Sequence, residues 1–189
     1  MNELESYIRS YFGVSPENIG VIKSLFVLEE VPSGTYYTKA GSPCEKLSFI
    51  KSGVFRVYKS VDTKEVTQWI GTPGYFVTDL QSLVFDLPSR WSIQCTQNSE
   101  LYTISKKDYN TLNTVMPEWP QLEKKFLAKC FLALEDRVFS LISKSARERY
   151  AELMSANPSI FNEVPLHNIA SMLGMSPETL SRIRSERIS

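Results

Sequence analysis

Residues 164–188 read VPLHNIASMLGMSPETLSRIRSERI. Two short helices joined by a tight turn account for this run. Pro165 can open the first helix, whose first turn has no use for a proline N–H. Ile169, Leu173 and Leu180 place apolar anchors around Gly174. A glycine there can take the left-handed conformation that ends a helix. Ser176 is a good N-cap for the second helix, Pro177 a good first residue, and Thr179 continues it. Helix, short glycine turn and capped second helix make the helix-turn-helix pattern. In such a motif the second helix enters the DNA major groove with its first turns against the base edges. Those turns carry Ser176, Pro177, Glu178, Thr179 and Arg182, with Arg184 and Arg187 behind them. The same pattern also fits an ordinary helical hairpin with a solvated charged face.

The chain has 189 residues, of which 42% are hydrophobic and 12% aromatic, enough for a substantial core in one large or two small domains. Lys plus Arg equals Asp plus Glu, so the net charge is zero. That counts mildly against nucleic-acid binding, which usually leaves a basic footprint. No charged segment followed by an apolar run marks a signal peptide, and no apolar stretch reaches the length of a membrane span. Cys44, Cys95 and Cys130 are odd in number and far apart, as expected of reduced thiols in a cytoplasmic protein. The single histidine, His167, lies on the first helix of the hairpin and reads as a surface or partly buried residue.

Upstream, residues 2–11 have helical spacing with Leu4, Ile8 and Phe12 near one face. Ser15, Pro16 and Glu17 resemble a capped helix start leading to Ile19, Ile22 and Leu25. From Phe26 the texture changes to β-branched and aromatic runs between glycine, proline, serine and aspartate turns. Strands are predicted near 26–31, 36–39, 46–50, 54–61, 66–70, 91–95 and 101–104. Residues 105–111 read as a short helix, and 159–163 as a loop after another helix at 145–154. A long helix spans 122–142, free of glycine and proline. Leu127, Phe131, Leu134, Val138 and Leu141 follow a heptad seam on it, the spacing of a helix that meets a copy of itself, although a helix buried between two parts of one monomer fits as well. Leu122, Phe126, Cys130 and Ala133 form a second stripe suited to the β domain.

A β domain, a long helix and a helix-turn-helix is a layout that resembles the Crp/Fnr family of bacterial transcription regulators, over nearly the whole chain. Gly41 and Gly53 flank LSFIKSG as in that family's β roll. GYFVTDL at 74–80 is similar to its G-D-F-I-G-E-L segment, and Arg90 falls near its phosphate-binding arginine. GMSPETLSRI is similar to its G-x-S-R-E-T-V-x-R-I recognition segment.

The resemblance implies an effector pocket around Phe76, Thr78, Asp79, Leu80, Arg90, Trp91 and Leu134. In cyclic-nucleotide-binding members an acid takes the ribose hydroxyl and the arginine pairs with the phosphate. Here the acid is Asp79, one methylene shorter, preceded by Thr78 where a small residue is wanted. Trp91 follows Arg90 in place of a small hydroxyl, and Leu134 and Glu135 stand where the family offers hydroxyls to the base. Cyclic AMP is therefore not expected to be the ligand. Pro177 stands where the family often reads guanine with arginine. Ser189 closes the sequence where members continue into a β wing, so wing contacts to phosphate are expected to be missing.

The expectation is an α+β chain in three parts. Residues 1–116 form an N-terminal β-roll or jelly-roll sensor of the cyclic-nucleotide-binding type, 117–143 a central dimerisation helix, and 144–189 a helix-turn-helix DNA-binding domain. The expected partners are operator DNA, a second copy, an unidentified small effector and RNA polymerase, with no membrane, metal, cofactor or catalytic activity. The rival is an effector-binding or protein-interaction module that leaves DNA alone. A cupin-like metalloenzyme would need several His or Glu ligands in the barrel, and the only histidine lies outside it.

Overall fold

The computed structural model describes residues 2–186. Helix α1 (Glu3–Phe12) starts in a capping box, with the Asn2 side chain accepting from the first turn and Glu5 reaching back to the Asn2 N–H. It buries Leu4, Ile8 and Phe12. After α2 (Ile19–Lys23) come two four-stranded antiparallel sheets. One has the order β1 (Val27–Val31), β8 (Ser99–Ser105), β3 (Lys46–Ser52), β6 (Phe76–Val77). The other runs β2 (Tyr36–Thr38), β7 (Ser92–Cys95), β4 (Phe55–Val61), β5 (Lys64–Gly71).

Strand β3 is buried on both faces, because it lies between two cores. Ile50 joins Tyr37, Phe55, Val77, Ile93 and Leu101 between the sheets. Leu47 and Phe49 point the other way, into a layer made by α1, α2 and α4 (Lys106–Val115). Ser48, on the inner face, is satisfied by the Tyr37 hydroxyl at 2.9 Å and the Thr103 hydroxyl at 2.8 Å. Gly53 closes the turn into β4 at φ +92°, and a Cβ there would lie 1.8 Å from Ser99 Oγ. No side chain fits that position.

The long helix α5 (Trp119–Ser143) closes the same core. Trp119 and Phe126 are buried with ring centroids 5.0 and 4.9 Å from that of Phe12. Then come α6 (Ala146–Ala156), α7 (Ile160–Glu163), α8 (Leu166–Met172) and α9 (Pro177–Ser185). Their core of Tyr150, Ile160, Ile169, Leu173, Leu180 and Ile183 runs on into the β domain at Val54 and Ile70. Helix α8 packs on β5, the edge strand of its sheet. The Thr67 N–H donates to Ser171 Oγ at 2.9 Å, which satisfies an edge group that no strand covers.

The α+β class, the β-roll, the long helix and the C-terminal helices match the sequence expectation. Four local expectations are corrected. Ser15 caps no helix: α2 begins at Ile19, after a turn at 16–18, and Leu25 falls beyond its end. The loop expected at 159–163 holds the short helix α7. Strand β6 and helix α3 (Leu80–Phe85) occupy most of residues 76–85, where the sequence offers a motif but no element. Ala133 is exposed and extends no buried stripe, whereas Leu122, Phe126 and Cys130 do pack on the β domain.

Candidate nucleic-acid interface and effector loop

Helix α9 is set by its own first residues. Ser176 Oγ accepts the Thr179 N–H at 3.2 Å, and Pro177 occupies the first helical position. Gly174 makes the turn at φ +65°, and an added Cβ would lie 3.0 Å from Leu141 Cδ2 on α5. Leu180 and Ile183 are buried and fix one face of α9. The opposite face carries Pro177, Glu178, Ser181, Arg182 and Ser185 around a shallow, open concavity. Ser181 is not among the contacts expected from sequence; its spacing of three from Glu178 and four from Pro177 is the signal that finds it.

Two arginines outside this helix hold the turn. Arg137 on α5 donates to the Met172 carbonyl at 2.7 Å, and its guanidinium lies 5.3 Å from the centroid of the Trp69 ring on β5. Arg149 on α6 donates to the Leu173 carbonyl at 2.8 Å. These carbonyls end α8 and have no partner within the helix.

Residues 144–189 hold six Lys or Arg against five Asp or Glu. Most of those cations are engaged locally. Lys144 pairs with Glu152 and Arg147 with Glu186. Arg149 caps the turn, and Arg184 turns back over the Phe161 ring, 5.6 Å from its centroid. Arg184, expected to face DNA, is therefore half-buried against α7. Arg187 lies outside the described residues. Arg182 is thus the described cation that faces outward from α9. No ion pair joins it to Glu178 among the described residues, although the two stand four apart. The Glu178 carboxyl is held below the usual carboxylate range by its own backbone N–H and by the Ser176 hydroxyl.

The second candidate region lies around Asp79, whose side chain is 2% exposed. Its Oδ1 accepts the Ser82 N–H at 3.0 Å and caps α3. Its Oδ2 accepts the N–H of Arg90 at 2.8 Å and of Trp91 at 3.3 Å. The acid is consumed by three backbone donors and forms no salt bridge to the Arg90 guanidinium, which is exposed over the Trp91 ring. The Thr78 hydroxyl donates to the Lys46 carbonyl at 2.9 Å. Phe76 and Leu80 belong elsewhere: both pack into the α1 and α5 core, Phe76 with its ring 5.0 Å from Phe126. Leu134 stands exposed on α5. The structure thus brings Asp79, Arg90 and Trp91 together but not Phe76. Asp79 just ahead of residues 80–85 is an N-cap residue type, the sign in the sequence that this acid bonds locally.

Along the expected seam, Phe131, Leu134, Val138 and Leu141 are exposed. Leu127 instead packs against the monomer's own core, and Leu141 reaches the Gly174 turn. Among the described residues no group of three His, Cys, Asp or Glu could hold a metal ion, and no helix is long and apolar enough to cross a membrane. Cys44, Cys95 and Cys130 are free thiols, and burial pushes the Cys130 thiol up to about 11.

Comparison with known proteins places the fold. Residues 28–113 match the family model of the cyclic nucleotide-binding domain. No curated protein matches the chain. Among solved structures, FixK2 from Bradyrhizobium japonicum superposes with a TM-score of 0.72 at 16% identity, over 85% of this chain and 83% of that one. The catabolite activator protein of Thermus thermophilus gives 0.58 at 22% identity, over 95% and 85%. The c-di-GMP-responsive global regulator CLP of Xanthomonas campestris gives 0.64 at 17% identity, over 91% of each chain. At these identities the likeness is one of fold.

Proposed function

We propose that this chain is a DNA-binding transcription regulator of the Crp/Fnr type, working as a homodimer and not responsive to cyclic AMP. One observation carries the reading. A capped helix with its apolar face buried presents Glu178, Ser181 and Arg182 outward, on a unit packed against a cyclic-nucleotide-binding fold. In the major groove Arg182 can donate two hydrogen bonds to guanine, and Glu178 can accept from cytosine N4. Ser176 and Thr179 lie at the helix N-terminus, where backbone N–H groups favour phosphate. The exposed strip of α5 supplies the two-fold partner that paired half-sites require. Contact with RNA polymerase belongs to the same reading.

Insensitivity to cyclic AMP is supported by the Asp79 loop. A cyclic phosphate needs free backbone donors and a free acid for the ribose. Here one carboxylate already takes the donors of Ser82, Arg90 and Trp91.

The test is selection of bound sequences from random double-stranded DNA, followed by mobility shift on the recovered consensus. Enrichment of a two-fold symmetric site supports the reading, and absence of enrichment removes it. The near balance of charge in residues 144–189 favours a second reading, an effector-binding or protein-interaction module without DNA contact. That reading predicts no retention of DNA even at low salt.

A further inference from the structure

Three polar ties fasten the C-terminal helices to strand β5 and its end. The Thr67 N–H donates to Ser171 Oγ on α8. The Arg137 guanidinium on α5 covers Trp69 while it donates to the Met172 carbonyl that ends α8. The Asn157 amide, just past α6, donates to the Thr72 hydroxyl at 3.3 Å. From Thr67 to Thr72 is about 17 Å of extended chain. A single tie leaves a swivel, whereas ties spread over that length resist rotation. Between them Ile70 is buried in one continuous core with Ile169, Leu173 and Leu180. Units joined by small polar contacts move relative to one another by default, and a shared apolar core removes that freedom.

The connection between α5 and α6 is clamped as well. It runs through Lys144 and Ser145. Arg149 donates to the Lys144 carbonyl and, at 2.8 Å, to the Leu173 carbonyl, so it binds the connection to the Gly174 turn. A hinge needs terminal residues that can absorb a change of backbone angles, and these are held by a side chain from the next helix. The arrangement leaves the reading face open: Glu178, Ser181 and Arg182 are exposed while Leu180 and Ile183 are buried beneath them.

The far end of the β domain is closed by the chain's own bonds. Ser89 is buried; its N–H donates to the Ser42 carbonyl and its carbonyl accepts the Gly41 N–H, both at 2.9 Å. Its hydroxyl lies 3.1 Å from that of Thr38. Together with the three donors on Asp79, these bonds fasten the loop between α3 and β7. A ligand shifts a conformational equilibrium only through a difference in its affinity for the two states. A loop already closed and a connection already bonded offer no such difference.

We infer that these ties hold α9 in its reading position without a small-molecule effector, with Arg137 and Ser171 as positioning residues. The inference rests on the DNA-binding reading and concerns the regulation of that site. The test compares untreated protein with protein unfolded in guanidinium chloride, dialysed and refolded, which strips bound small molecules. Both are titrated by fluorescence anisotropy on the sequence recovered by selection. Specific dissociation constants within twofold of each other are expected. Refolded protein that regains the native melting transition but binds the specific sequence at least tenfold more weakly overturns the inference and leaves DNA binding standing. No specific binding by either preparation removes the DNA-binding reading and this inference with it. As a second measurement, Arg137→Ala combined with Ser171→Ala is expected to weaken specific binding at least tenfold and to leave non-specific binding within twofold. Well below the melting temperature, a loss of stability alone moves neither constant. An unchanged specific constant therefore contradicts the positioning role.

Discussion

Asp79 and Arg90 are joined through the main chain: the Asp79 Oδ2 accepts the Arg90 N–H at 2.8 Å, while the Arg90 guanidinium turns out over Trp91. The carboxylate and the guanidinium do not meet. The acid organises the loop, and the arginine is left on the surface.

Calorimetry with cyclic AMP and cyclic GMP should therefore detect no binding in the micromolar range. A dissociation constant near 1 μM, about −8.2 kcal/mol, would contradict this account of the loop. Asp79→Ala should destabilise the protein by ~2–4 kcal/mol, since it removes a helix cap and strands buried N–H groups. Asp79→Asn, which keeps an acceptor, should cost less. Equal melting temperatures for wild type and Asp79→Ala would show that the three hydrogen bonds are idle.

The α5 seam should fail when charged. Leu134→Glu with Val138→Glu is expected to yield monomers in sedimentation equilibrium, because an unpaired charge at a buried seam is costly. The monomer should keep its fold, as both side chains are exposed within one chain. An unchanged dimer would move the interface elsewhere.

Arg137 ties three elements at once. Burial lowers its pKa from the usual arginine value, yet it remains a cation that covers Trp69 and caps α8. Arg137→Ala should cost ~1–3 kcal/mol by leaving the Met172 carbonyl without its partner. That corresponds to roughly 2–4 °C of melting temperature per kcal/mol in a chain of this size. Lysine should not restore it, because an ammonium cannot stack on the indole and cap the turn together. Full rescue by Arg137→Lys would refute the stacking role.

Legibility in the sequence depends on the range of each interaction. Strands show as β-branched and aromatic runs between turns, and the helical hairpin shows through Gly174, Ser176 and Pro177. Strand β6 is two residues long and α3 six, too short to develop a period. The grip of Arg137 and Arg149 on the Gly174 turn reaches main-chain carbonyls 35 and 24 residues away, and no spacing rule reports a side chain's bond to a distant carbonyl. Motif similarity assigns Phe76 to the pocket, whereas its alternation with Val77 puts it on the helix-covered face of the sheet.

Stability should fall with acid through specific carboxylates. Glu148 is held below the usual carboxylate range by the Ser145 hydroxyl and N–H. A depressed folded pKa contributes stability above the unfolded value, about 4.3 for Glu. That contribution is lost as the pH drops through the folded pKa. Glu148→Gln should therefore lose less melting temperature than wild type between about pH 7 and pH 3. Identical losses would mean that the capping box at α6 does not titrate with folding.

On the proposed function, α9 reads DNA through Arg182. Fluorescence anisotropy on the sequence recovered by selection, with wild type beside Arg182→Ala, tests it most directly. Arg182→Ala is expected to lose ~1–3 kcal/mol, together with relaxed preference at one base pair in each half-site and little change on non-specific DNA. Specific binding that survives Arg182→Ala and Glu178→Ala together would contradict it and remove α9 from the reading role.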